Sequence, residues 1–106
     1  MEWKDVWAEA VGAAEREVGT RVPNAVRFVE GIAAARENRL LLLLEAMADG
    51  ALDQQAIEEE LNEERGILES EFLAVRVIAK KAAQDAANVL IGTIQKALVA
   101  GITLPV

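Results

Sequence analysis

The chain contains no cysteine, no histidine and no tyrosine among its 106 residues. Without cysteine it can form neither a disulfide framework nor a thiolate metal site. Without histidine and tyrosine it lacks the commonest general base, the commonest zinc ligand and a common proton donor. These absences argue against chemistry carried out by this chain alone. We therefore expect a protein that is not an enzyme and has no catalytic residues and no cofactor.

Aromatic residues and prolines are scarce, whereas aliphatic residues are abundant. Hydrophobic residues make up 53% of the sequence, but the aromatic ones are only Trp3, Trp7, Phe28 and Phe72. The rest are mostly Ala, Leu, Val and Ile, and Ala and Leu are the strongest apolar helix formers. The two prolines fall at expected helix boundaries. The composition predicts an all-α fold, and the length predicts one domain at most.

The sequence also lacks a secretory signal and a long uninterrupted apolar run. Its N-terminus has no basic region followed by an apolar region. The stretch that comes closest to a membrane span, 86–106, is interrupted by Asn88, Gln95 and Lys96. We therefore expect a location in the cytoplasm or in a particle assembled there. A peripheral membrane protein that uses 86–106 is an alternative.

Apolar residues at spacings of three and four predict a first helix at about 2–18 and a second at about 23–48. The glycine after the first helix is suited to end it, and Pro23 is suited to begin the second. The dipeptide Asp49-Gly50 is a turn signal that ends the second helix. The leucine run 40–44 covers more than one turn, so we expect that part of the helix to be buried on several sides.

The third predicted helix, at about 53–100, is much longer than the other two. Asp53 is a suitable N-cap. Apolar residues then recur at a spacing of seven at Leu61, Leu68, Val75, Ala82 and Val89. Gly66 and Gly92 are the positions at which we expect any bend or break. The predicted architecture is an elongated three-helix bundle or helical hairpin with a long third helix, followed by an apolar tail at 101–106.

This architecture leaves more apolar helix surface than one chain covers, and large exposed apolar patches mark interfaces. We therefore expect a non-enzymatic structural subunit that oligomerises or docks into a larger complex, such as a virion, filament, shell or secretion apparatus. The expected interface residues are Trp3, Trp7, Leu68, Phe72, Val75, Leu90, Ile94, Leu98, Ile102, Leu104 and Val106. In the alternative interpretation the third helix breaks near Gly92, the tail folds back on its own core, and the tryptophans are core residues of the first helix.

The apolar tail has an extended pattern, because its apolar residues alternate with Thr103 and Pro105. Pro105 prevents helix continuation and favours an extended conformation at the residue before it. The free energy from burying three apolar side chains nearly cancels the entropy cost of ordering the tail. We therefore predict that the tail becomes ordered only against a preformed groove, and that this groove lies on a neighbouring chain.

Acidic residues are concentrated in one segment of the third predicted helix. Between Asp53 and Glu71 there are eight acidic residues and one basic residue, and the net charge of that segment equals the −7 of the whole chain. This face is unsuited to nucleic acid, because phosphates are negative. A solvated acidic face is one interpretation. The alternative function is a carboxylate site for Mg²⁺ or Ca²⁺ within 58–71.

The charge reverses from Arg76 to Lys96, where basic residues outnumber acidic ones. Opposite charges across a helix seam help to set its orientation. We therefore predict that any self-contact along the third helix is antiparallel or strongly staggered.

Arg36 interrupts the apolar stripe of the second predicted helix, where Glu30 and Glu37 lie two turns apart with Arg36 and Arg39 nearby. One interpretation is an ordinary set of surface ion pairs. The other is a buried polar network that fixes the register of two helices.

Overall fold

The computed structural model describes residues 1–105 and is built from helices. Its elements are α1 (Trp3–Gly19), a short 3₁₀ helix (Pro23–Ala25), α2 (Val26–Ala48), α3 (Gln54–Ala74) and α4 (Lys80–Ala100). The all-α class predicted from composition is therefore confirmed. The first two helices begin and end within a few residues of the predicted positions.

The boundaries of α2 and α3 follow from local signals in the sequence, whereas Gly19 is the last residue of α1 and not, as predicted, the residue after its end. At Gly19 a Cβ would lie 3.0 Å from a methyl carbon of Val26, so glycine lets the end of α1 approach the start of α2. Gly50 has a φ of +80°, and the amide of Ala51 donates to the carbonyl of Ala46, which is a Schellman end for α2. Asp53 caps α3 as predicted, because its carboxylate accepts from the amide of Ala56 at 2.8 Å.

The prediction of one long third helix is wrong, because residues 75–79 separate α3 from α4. The break contains no glycine or proline, and Gly66 and Gly92 both lie inside continuous helices. Val75 and Ala79 adopt extended backbone conformations that any residue can take. The break lets the two halves fold side by side, so that each half covers apolar surface of the other. Tertiary burial therefore overrides a helical pattern that continues through the turn.

The four helices form a ring in which each packs against two neighbours. Within residues 1–105, the backbone of α1 lies close to those of α2 and α4, and the backbone of α3 also lies close to those of α2 and α4, but the diagonal pairs do not approach this closely. The pairs Arg36–Glu64 and Arg39–Glu60 show that α2 and α3 are antiparallel, because a later residue of α2 pairs with an earlier residue of α3. The molecule measures 40 × 23 × 20 Å. It is a short four-helix bundle rather than an elongated three-helix bundle or hairpin.

Alanine dominates the contact between α1 and α4, which is the most extensive helix contact in the chain. Ala10 and Ala14 of α1 are fully buried, as are the alanines on the inner face of α4. Small side chains let two helix backbones approach closely, and the leucines and Phe72 fill the wider space towards α2 and α3. The core therefore has small side chains between α1 and α4 and larger side chains towards α2 and α3.

The leucine run in α2 is only partly enclosed. Leu40, Leu43 and Leu44 are buried, Leu41 is half-buried, and Leu42 is 58% exposed. The prediction of burial on several sides is therefore wrong at Leu42. The physical reason is that α2 has only two neighbours in the ring, so its outer face is in solvent.

Candidate functional site

A network of four charged side chains joins the middle of α2 to the middle of α3. The Arg36 guanidinium donates to both carboxylate oxygens of Glu64, from Nη2 to Oε1 at 2.8 Å and from Nε to Oε2 at 3.1 Å. Arg39 Nε lies 3.4 Å from Glu64 Oε1, and its Nη2 lies 3.4 Å from Glu60 Oε2. Glu64 is thus held by two guanidinium groups on successive turns of α2.

The burial of this network is uneven. The Glu64 side chain is 3% exposed, that of Arg36 is 24% exposed, and that of Arg39 is 54% exposed. A buried carboxylate is tolerated when it is paired and hydrogen-bonded. The interpretation of Arg36 and Arg39 as members of a register-fixing network is the one that agrees with this geometry. Their partners are Glu64 and Glu60 on α3, however, rather than residues on their own helix.

Glu37 takes part in a second contact between helices. The indole N–H of Trp3 donates to Glu37 Oε2 at 3.2 Å, which joins the start of α1 to the middle of α2. Trp3 also stacks on Trp7, with 5.6 Å between ring centroids. Because Trp3 is buried and Trp7 is half-buried against the core, the pair belongs to the core stripe of α1.

The residues predicted to form an interface lie mainly inside the bundle. Those buried in the core are Trp3, Leu68, Phe72, Leu90 and Ile94. Those half-buried against it are Trp7, Val75, Leu98, Ile102 and Leu104. Val106 lies outside the described residues. In the single chain the first group is covered by the bundle, whereas the second group keeps part of its surface in solvent.

The described part of the apolar tail, residues 101–105, lies against the start of its own chain, so the prediction of a groove on a neighbouring chain is wrong there. The carbonyl of Thr103 accepts from the amide of Trp3 at 2.9 Å, and the amide of Thr103 donates to the carbonyl of Met1 at 2.7 Å. The first amides of a helix have no helical partner. The tail supplies one for α1, and Ile102 and Leu104 pack against the core beside it.

The acidic segment is mostly a solvated face with one buried member. Glu58, Glu59 and Glu63 are exposed, whereas Glu64 and Glu60 are committed to the arginines of α2. Across residues 1–105, no group of three or more acidic side chains is placed to hold a metal ion. The predicted carboxylate site therefore has no preformed ligand cluster in the described part of the chain.

The outer face of α2 carries an uncharged stripe whose two large apolar residues are Phe28 and Leu42. Phe28, Gly31, Ala35, Asn38 and Leu42 are all exposed and recur at spacings of three and four. We call these five residues the outer stripe. None is charged, although the guanidinium of Arg27 lies 5.2 Å from the centroid of the Phe28 ring. The heptad spacing of this second stripe was readable in the sequence, but the stronger core stripe of the same helix obscured it.

The outer stripe has the form of a helix-docking surface. Residues at positions a and d of a heptad form the seam of a helix pair. Phe28 and Leu42 stand at its ends, about 21 Å apart at 1.5 Å per residue. Gly31 and Ala35 lie between them, and small residues let another helix approach closely. The stripe could therefore accept one further helix.

No protein-family model matches the chain, and no curated protein and no solved structure is similar enough to be matched to it. Among residues 1–105, none of the helices combines the length and the apolar character that crossing a membrane requires.

Proposed function

We propose that this chain is a non-enzymatic helical subunit that assembles with other protein chains. It does so by homo-oligomerisation or by docking into a larger complex, such as a virion, filament, shell or secretion apparatus. The outer stripe of α2 is the contact surface in this proposal, and the partner contributes a helix with a complementary apolar seam. The small bundle serves as the scaffold that presents this face.

The observation that carries the proposal is the exposed, uncharged heptad stripe on α2. A helix with two neighbours needs one apolar face, and α2 has a second face with Leu42 58% exposed and Phe28 44% exposed. Large apolar residues exposed along one helix face favour contact with a partner, and in the outer stripe these are Phe28 and Leu42. The absence of histidine and cysteine from the sequence favours a structural role over a catalytic one.

Substitution of Leu42 by Glu tests this proposal, with Val99→Glu as the matched control. Val99 is 90% exposed on α4 and lies outside the outer stripe. Sedimentation velocity across the micromolar range should show that the unmodified chain and V99E self-associate and that L42E is monomeric. Each lost apolar anchor should weaken assembly about fivefold or more, because an interface anchor contributes above ~1 kcal/mol.

Assembly with a different protein requires a second measurement. A photo-crosslinking amino acid at Ala35 should capture a discrete adduct in the cells that make the protein, and the same group at Val99 should not. A chain that sediments as a monomer and gives the same adducts from both positions would contradict the proposed function.

A further inference from the structure

The turn between α3 and α4 is made of residues that can also form a helix. We call residues 75–79 the hinge. It contains no glycine or proline, and no residue other than glycine in the described chain has a positive φ. The heptad repeat of α3 continues through the hinge into α4, at Val75 and then Ala82. Nothing in the local sequence therefore prevents α3, hinge and α4 from becoming one helix.

The contact between α3 and α4 can form within one chain or between two copies, with α4 of one copy packed against α3 of the other. The two helices are antiparallel, because Arg65 of α3 donates to Asn88 of α4 at 3.4 Å and Gln54 lies near Gln95. The contact itself is apolar, with the Arg65–Asn88 hydrogen bond at its edge. The inner face of α4 buries Leu90, Ile91 and Ile94 among other residues. A second copy offers the same apolar surface to α4, and the same Arg65–Asn88 hydrogen bond.

We propose that the chain forms a domain-swapped dimer in which the hinge straightens and each α4 packs into the bundle of a second copy. The occupant of the groove between α1 and α3 is then the second copy's α4. This mode goes beyond the docking proposed above, because it uses the core instead of the outer stripe. It makes Leu68, Phe72, Leu90 and Ile94 intermolecular contacts without changing their surroundings.

The exposed residues around the hinge support this dimer. Leu73 and Val77 are exposed in the closed chain. They are four residues apart, so they lie on the same face of a continuous helix. Two straightened helices that cross antiparallel near Val77 bring these side chains together. The open form therefore buries apolar surface that the closed form leaves in solvent.

The swapped form also has a distinct shape. A continuous helix from Gln54 to Ala100 is about 70 Å long at 1.5 Å per residue. The closed chain is 40 Å in its longest dimension. Small-angle scattering of a dimer fraction should therefore show a particle at least as long as that helix.

Lys80→Pro separates the closed form from the open form. Lys80 is the first residue of α4 and follows Ala79 in an extended conformation, with φ −69° and ψ 154°. Proline suits this position in the closed turn, because the amide there has no helical partner and the preceding residue is already extended. In a continuous helix the same proline removes a hydrogen bond and clashes with the previous turn. Lys80→Ala is the matched control, since it removes the same charge and favours a helix.

The dimer is assayed by refolding the chain at high concentration, followed by size exclusion and cross-linking. The chain has no native cysteine. An R65C chain and an N88C chain are therefore refolded together and treated with a short bismaleimide. In a swapped dimer residue 65 of one copy faces residue 88 of the other, so an interchain adduct forms. The same two chains mixed without unfolding should give little adduct.

We expect K80A to retain the dimer and the adduct, and K80P to lose about a hundredfold in dimer affinity for each hinge while its monomer stays helical. If K80P does not fold, the Ala79→Gly variant is tested in its place. Glycine is tolerated at the N-cap and disfavoured inside a helix, so A79G should lower dimer affinity about fivefold per hinge.

Three outcomes would overturn the swap: no dimer after refolding, a dimer without the 65–88 adduct, or equal dimer and adduct in K80P and K80A. The L42E substitution distinguishes failure of the swap from failure of the proposed docking function. It should abolish docking through the outer stripe and leave the swap intact.

Discussion

At the scale of single residues, the most informative position is Glu64. It is the only charged residue buried in the described part of the chain, and it lies on the buried face of α3 among apolar residues. Its pairing with Arg36 and Arg39 fixes the register of α2 against α3, because a slip of either helix would leave a carboxylate buried without a partner. A buried ion pair contributes little net stability compared with apolar residues, but breaking it is costly.

We predict that Arg36→Met destabilises the fold far more than Arg39→Met. Arg36 supplies the bidentate bond to a buried carboxylate, so its loss should lower the free energy of unfolding by about 3 kcal/mol. Arg39 is more than half exposed, so its loss should cost less than about 1 kcal/mol. Urea unfolding followed by tryptophan fluorescence measures both. Equal effects would mean that Glu64 is not held mainly by Arg36.

At the scale of secondary-structure elements, the ends of the chain are tied together. The tail after α4 lies beside the first turn of α1, and the two share a parallel bridge between Glu2 and Thr103. This contact satisfies the backbone amide of Trp3. The tail therefore acts as a cap for α1, which is a role that its own alternating pattern could not indicate.

We predict that Thr103→Pro destabilises the chain and that Thr103→Ala does not. Proline has no amide, so it removes the hydrogen bond to the carbonyl of Met1, which should cost about 1 kcal/mol. Alanine keeps both backbone bonds, and the Thr103 side chain is exposed. Thermal unfolding with circular dichroism compares the two variants. A tail that folds only on a neighbouring chain would leave both variants equally stable at high dilution.

At the scale of the whole molecule, the bundle is a closed ring of antiparallel helices whose first and last helices are neighbours. The backbone of each helix lies close to those of the two helices beside it. The start and the described end of the chain meet at one end of this ring, and the hinge lies at the other end. The order in which the helices are connected is therefore less important than the four contacts between them.

We predict that a circular permutant keeps the fold. Joining Pro105 to Met1 through a short glycine-serine linker and opening the chain at Val77 preserves all four helix contacts. Linking neighbouring termini is commonly tolerated. Its helical content by circular dichroism should match that of the parent chain, and it should not form the swapped dimer, because α3 and α4 are no longer joined. Loss of helical content would show that the hinge itself is needed for folding.

Much of the fold could be read from the sequence because it depends on local physical chemistry. Alanine and leucine content determines the all-α class. Caps and stops act within one or two turns, so Pro23, Asp49-Gly50 and Asp53 were identified correctly. The core faces of α1 and α2 follow from helical periodicity, which a single helix carries in its own sequence.

The remaining features were decided only by the tertiary structure, because they depend on which surfaces meet. The break at 75–79 has no local signal and exists because folding α4 back onto α3 covers the apolar faces of both. The burial of Glu64 depends on two arginines about 25 residues earlier in the chain. The tail finds its partner at Met1 and Trp3, at the opposite end of the sequence. The exposure of the outer stripe likewise follows from the ring, in which α2 has two neighbours and its remaining face is free.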